Sequence, residues 1–173
     1  MGEIWRRALD RSELDSWIAG IYHPYHAALS HELERLRDRW GTALLIDLHS
    51  MPPLPKAHPH DQPAEFVIGD RFGASCEPGL VDLAIRYLAN NGRRVAHNRP
   101  YAGGYVLDRY GQMARGIHAI QIEVCRSTYL DARLDQPSVR AGAIAKLLSG
   151  LIRTLGTEAA LMGNSGVAAQ AAE

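Results

Sequence analysis

Apolar residues along the first forty positions fall three and four apart: Leu14, Ile18, Ile21, Tyr25, Leu29, Leu33, Leu36 and Trp40. That spacing predicts one long helix over 12–40 with a single apolar face. Ser12 followed by Asp15 reads as the capping box at its start. Pro24 lies inside the pattern, so the helix is expected to kink or restart near His23. Gly41 suits the left-handed turn that stops a helix.

The pattern then changes period. "ALLIDL", residues 43–48, is nearly continuous apolar sequence and reads as a strand covered on both faces. Five prolines between 52 and 63 make residues 51–65 an extended loop. "FVIG" at 66–69 predicts a second strand. "EPGLVDLAIRYLANNG" predicts a helix with Pro78 in its first turn and Asn91-Gly92 at its end. "RRVAHN", 93–98, and "HAIQIEV", 118–124, read as two more strands. A last amphipathic helix is expected from Pro137 to Leu155 through Val139, Ala143, Ile144, Leu147, Leu151 and Ile152, with Gly156 as its stop. Residues 157–173 carry no core-forming pattern and are expected to be a mobile tail. Helices alternating with short apolar strands imply an α/β layered fold with a mixed sheet, in one domain over 1–156.

Composition narrows the class without naming a chemistry. Nineteen Lys and Arg balance nineteen Asp and Glu, so no global field recruits nucleic acid or an anionic lipid surface. No apolar run approaches the ~20 residues that cross a bilayer. Two cysteines, Cys76 and Cys125, form neither a metal-type spacing nor a disulfide framework, which fits a reducing cytoplasm.

Chemistry collects where strands end. Side chains alternate along a strand, so Leu45, Asp47 and His49 share one face. Asp47 and His49 therefore emerge together, and a carboxylate beside an imidazole is how proteins orient a metal ligand. The same pair also describes a hydrogen-bonded histidine that merely closes a strand. In "HAIQIEVCR", Gln121, Glu123 and Cys125 lie on one face and His118, Ile120 and Ile122 on the other. Glu123, set in an apolar strand, must face a polar cavity, pair with a cation such as Arg126, or carry a proton. A partly desolvated glutamate beside a metal-bound water suits a general base; a structural ion pair is the alternative.

Two loops add cations. "NRPYAGGYVLDRYG", 98–111, holds Arg99, Tyr101 and Tyr105 around Gly103-Gly104, and "GDRFGAS", 69–75, holds Arg71. Arginine matches a carboxylate through two parallel hydrogen bonds, although surface arginines are commonly just solvated. The glycine pair lacks the frame of a phosphate-binding loop. His23 and His26 read as packing or capping residues at the kink; His58 and His60 could bind a metal adventitiously, but a loop of this composition reads first as plain surface.

Together "PYHAAL", "LLIDLHSMP", "GDRFGASC", "NRPYAGGYVLDRYG" and "GIHAIQIEVCRSTYLD" resemble the N-formylglutamate amidohydrolase family, in the family's order over most of residues 3–133. The resemblance implies a three-layer α/β/α sandwich with a mixed central sheet, like that of zinc carboxypeptidases. It implies zinc-dependent hydrolysis of an N-acyl amino acid, N-formylglutamate giving formate and glutamate, in the manner of histidine degradation. By the same resemblance His49 is a zinc ligand and Glu123 the catalytic glutamate, with Arg71, Arg99 and Tyr105 binding substrate. The family's other zinc ligands, a histidine and a glutamate, lie upstream, whereas "MGEIWRRAL" matches the middle of the family's domain. A catalytic zinc takes three protein ligands. The resemblance therefore implies that this chain by itself binds Zn2+ weakly and is of doubtful activity. It also implies an incomplete N-terminal side whose exposed sheet edge could join copies into a homo-oligomer. The alternatives are a non-catalytic remnant that binds a small carboxylate such as glutamate, and a short enzyme that completes its zinc site from other histidines or across an interface.

Overall fold

The computed structural model describes residues 7–56 and 58–170, with side chains described as far as residue 164. Helix α1, Arg11–Trp17, starts two residues earlier than the Ser12 cap predicts. The capping box is formed by Asp10 and Glu13: Asp10 Oδ1 accepts the Glu13 N–H at 2.8 Å and Glu13 Oε2 accepts the Asp10 N–H at 3.2 Å. Ser12 lies inside the first turn and donates to Asp10 instead.

Helix α2, His23–Trp40, follows a wide π turn, Ile18–Tyr22, in which the His23 N–H reaches Ile18 O. Pro24 has no N–H to continue the α ladder, and an inserted residue in the preceding turn is how a helix absorbs that loss. Gly41 closes α2 at φ 76°, as expected. The apolar face is buried only in part. Leu33 joins a small cluster with Ala43, Tyr110 and Ile117. Leu14, Ile18, Ile21 and Tyr25, expected on the same buried face, are exposed.

Among the described residues the sheet has four strands in the order β1-β4-β2-β3: β1 Ala43–Met51, β2 Phe66–Gly69, β3 Val95–His97 and β4 Ile117–Cys125. Strands β1 and β4 are parallel through nine residue pairs, from Ala43↔Ile117 to Met51↔Cys125. Strand β2 is antiparallel to β4 and parallel to β3, so the sheet is mixed. Strand β1 runs past Leu48 because its polar end continues to pair with β4. Strand β3 is shorter than expected, since Arg93 and Arg94 belong to the turn before it.

Helices cover both faces. Helix α3, Pro78–Asn90, and helix α5, Ala141–Gln170, pack on Phe66, Ile68, Ile120, Ile122 and Val124 through Leu80, Ala84, Leu88, Ile144, Leu151 and Leu155. The opposite face is covered at its lower end by α2 and by a short helix α4, Tyr105–Tyr110, inside the loop read as irregular. The result is an α/β fold with a mixed sheet between helix layers.

Helix α5 departs most from expectation. It begins after Val139, which is fully exposed rather than part of an apolar face, and it runs through Gly156. A glycine in a helix costs about 1 kcal/mol, which tertiary packing can offset. Leu155 and Ala159 are buried one turn apart, and Gly163 lies against the Trp40 carbonyl. The segment expected to be a mobile tail is therefore helical to Gln170, and residues 171–173 lie outside the described residues.

Candidate functional site

The β1–β4 register sets His49 directly opposite Glu123, and Asp47 opposite Gln121. Alternation puts all four side chains on the face that α3 and α5 do not cover. His49 Nε2 is 3.0 Å from Asp47 Oδ1. Gln121 Nε2 donates to Glu123 Oε1 at 3.0 Å. The site is layered by exposure: Glu123 is 7 % exposed, whereas the His49 side chain is 48 % exposed. Solvent or ligand thus meets the imidazole first and the carboxyl beneath it.

Burial pushes the Glu123 carboxyl above its ordinary value; His49 opposes that shift, Asp47 adds to it, and Arg126 opposes it. Among the described residues no ion pair joins Glu123 to Arg126, whose Nε instead donates to Ser50 Oγ at 3.3 Å. Of the readings open to a glutamate in this strand, a desolvated carboxyl held by a neutral amide fits the observed contacts.

The two arginine loops are tied at their roots. Asp70 is buried and accepts from Asn98 Nδ2 at 2.6 Å, while its own N–H donates to Asn98 Oδ1 at 3.0 Å. His97 Nε2 lies 3.1 Å from the same Asp70 oxygen. Arg71 follows one clamped residue and Arg99 the other. Strand β2 delivers this clamp next to the site, because Gly69 pairs with Gln121. A side chain on Gly69 would meet the Ala102 backbone at 2.7 Å, so glycine permits the two loops to touch. Arg71, Phe72 and Asn98 all have φ of 56–58°, a left-handed conformation uncommon outside glycine. Such strain often marks functional loops.

The arginines differ in freedom. Arg71 donates from Nε to Asp108 at 2.6 Å and from a terminal nitrogen to Gly103 O at 3.4 Å, leaving part of its fork unspent. Arg99 is exposed and has no hydrogen-bond or ion-pair partner among the described residues. The Tyr105 hydroxyl meets that of Tyr22 and accepts from Arg109 at 2.8 Å. The Tyr22 contact, with help from Arg109, holds the Tyr105 phenol below its usual range. The Asp70–Asn98 clamp and the Tyr22–Tyr105–Arg109 group have no signature in spacing. The one available hint is that "GD" and "HN" each end a strand.

His26 is a packing residue, buried against the Tyr110 hydroxyl. A cavity of about 390 Å³ at the end of β1 is rimmed by His49 and Ser50 but lined by Leu48, Val124 and Ile144 of the opposite face. Its apolar wall does not suit a carboxylate. Among the described residues, no group of three or more His, Cys, Asp or Glu side chains could hold a metal ion. The donor set around His49 therefore does not fit a complete zinc centre.

A sequence model of the N-formylglutamate amidohydrolase family matches residues 1–130. The N-formylglutamate deformylase of Pseudomonas putida is 36% identical over 124 residues, which cover 69% of this chain and 45% of that protein. The Pseudomonas aeruginosa protein of the same name is 33% identical over 147 residues, 79% of this chain and 54% of its own. The crystal structure of an N-formylglutamate amidohydrolase from Ralstonia eutropha JMP134 superposes with a TM-score of 0.79 at 34% identity, over 94% of this chain and 58% of that one. An Agrobacterium tumefaciens gene product at 19% identity and a TM-score of 0.57 shares the fold. The chain spans about half the length of the curated relatives it matches. On the family match, the identities and the superposition, this chain belongs to the N-formylglutamate amidohydrolase family.

Proposed function

We propose that this chain carries the proton-transfer half of a site that hydrolyses N-formylglutamate to formate and glutamate. The observation that carries the reading is the pairing of His49 with a desolvated Glu123 across two parallel strands. The two relatives named deformylases supply the substrate class. In this reaction water oxygen adds to the formyl carbon and the C–N bond breaks. The ionised Glu123 carboxylate takes a proton from that water and passes one to the departing amine. Its raised affinity for protons suits both halves of that transfer. Arg99, with its unspent fork, and Arg71 bind the substrate carboxylates, and Tyr105 lines the same space.

His49 is the residue through which this chain would hold zinc, with Asp47 fixing its ring. The described residues do not complete a ligand set. The exposed Arg99, without a hydrogen-bond or ion-pair partner among the described residues, also suits a second reading, in which the chain binds glutamate without turning over substrate. The reading further includes a cytoplasmic protein, consistent with two buried free cysteines. It also includes self-association along β1, which ends the strand order and has an exposed Leu48. No helix among the described residues is long and apolar enough to cross a membrane.

Formate release from N-formyl-L-glutamate at saturating zinc tests the first reading. Slow release that Glu123→Gln removes is the expected result. No release, with L-glutamate still bound in calorimetry, supports the second reading instead.

A further inference from the structure

A different part of the chain carries an unassigned concentration of positive charge. Between the loop before β2, the turn before β3 and the segment after β4 lies a cavity of about 390 Å³. Among the described residues Lys56, Arg93, Arg94 and Arg140 line it, against a single carboxylate, Glu65. In a chain whose total charge is zero, four cations facing one acid is a local excess that the sequence balance conceals.

The way these cations are held separates them from solvated surface arginines. Arg140 donates to the carbonyls of Thr128, Ser127 and Leu130 at 3.3, 3.1 and 2.8 Å, so backbone fixes it, and no carboxylate among the described residues pairs with it. Arg94 donates from Nε to Pro63 O at 2.9 Å and reaches Glu65 at 3.4 Å. Arg93 stands 3.7 Å from the same Glu65 oxygen, beyond a hydrogen bond, and its buried Nε has no partner among the described residues. Lys56 is exposed and has no partner among the described residues. A neighbouring cavity of about 350 Å³ shares Arg93 and adds Lys146 and Arg153, with no acidic residue in its wall among the described residues.

A buried N–H without an acceptor is destabilising, and like charges around one space repel. One multivalent oxyanion in the cavity relieves that repulsion. Guanidinium groups fixed by their own carbonyl contacts are preorganised cations, and among the described residues Arg140 and Arg94 each keep a terminal nitrogen, Nη1, unspent for a phosphate or carboxylate oxygen. We propose that Lys56, Arg93, Arg94 and Arg140 form a binding site for a small multivalent oxyanion, a phosphate-bearing molecule or a polycarboxylate. Neither His49 nor Glu123 lines this cavity, so the proposal stands independently of the hydrolytic reading.

Calorimetric titration of the full chain with inorganic phosphate, and separately with citrate, at constant ionic strength set by chloride, tests it. Saturable binding of at least one anion is expected. Arg94→Gln and Lys56→Gln should each weaken it at least fivefold, and Arg93→Met more. The first two positions are exposed, so they decide the matter even if Arg93→Met fails to fold. Tighter phosphate than citrate assigns a phosphate-bearing ligand, and the reverse a polycarboxylate. Absence of saturable binding for both anions overturns the proposal, as does equal affinity in wild type, Arg94→Gln and Lys56→Gln.

Discussion

His49 faces Glu123 across the β1–β4 ladder, and Asp47, two residues back on the same strand, sits 3.0 Å from the His49 ring. Parallel pairing makes this arrangement a property of the backbone, since nine consecutive residue pairs fix the register. A one-residue slip of β1 would turn Asp47 and His49 to the opposite face, away from Glu123. The sheet thus holds an exposed imidazole above a buried carboxyl without help from a flexible loop.

The buried carboxyl gives a pH signature. Because burial raises the Glu123 proton affinity in the folded state, the ionised form is disfavoured there. Below the ordinary carboxyl range both folded and unfolded chains are protonated, and Glu123→Gln should melt like wild type. As pH rises through the folded-state value, wild type loses stability that the neutral glutamine keeps. Thermal melts from pH 4 to 8 should show the variant becoming progressively the more stable of the two. A constant difference across that range would contradict the assignment.

Asp47 is expected to act on His49 rather than on substrate. Carboxylates that orient a ligating histidine typically contribute 10–100-fold in metal affinity. Asp47→Ala should therefore weaken zinc binding by roughly that factor in a competition titration, with the fold retained by circular dichroism. Unchanged zinc affinity would leave Asp47 as a strand-closing residue.

Cys76 is buried, and burial first, then the charges of Asp70 and Glu77, push its thiol up to about 12. A thiol so rarely ionised at neutral pH is a poor nucleophile. Native protein treated with iodoacetamide at pH 8 should leave Cys76 unmodified, and denatured protein should react fully. Rapid native labelling at Cys76 would mean that the α3 side of the core opens readily.

The docking of α5 beyond Gly156 can be tested at Gly163. A side chain there would collide with the Trp40 carbonyl, and one on Gly41 would stand 2.6 Å from Gly163 O. Overpacking of this kind costs about 1–3 kcal/mol, so Gly163→Val should lower the melting temperature by several degrees. An unchanged melt would mean that the end of α5 does not pack on α2.

Much of this fold is legible in the sequence because period and punctuation agree. Strand β2, helix α3 and the Gly41 turn fall where spacing and glycine place them. The failures share one cause: long-range contacts decide against local propensity. Gly156 reads as a stop, yet Leu155 and Ala159 find burial on either side of it. Leu14, Ile18 and Ile21 read as core, yet no described element covers them. Ser12 and Asp10 are both competent caps, and the box with Glu13 selects the earlier. At the site, alternation alone puts Asp47 and His49 on one face and Gln121 with Glu123 on another. That these two faces are the same one depends on β1 pairing with β4 in parallel, which no local signal states. The Asp70–Asn98 clamp likewise joins residues 28 positions apart.

The most direct test of the account is formate released from N-formyl-L-glutamate at saturating zinc by wild type and Glu123→Gln, with zinc content measured on the same samples. The account predicts release above background by wild type, a loss of at least hundredfold in Glu123→Gln, and equal zinc in both. Equal release by the two proteins, or loss of zinc together with turnover, would contradict the role given to Glu123.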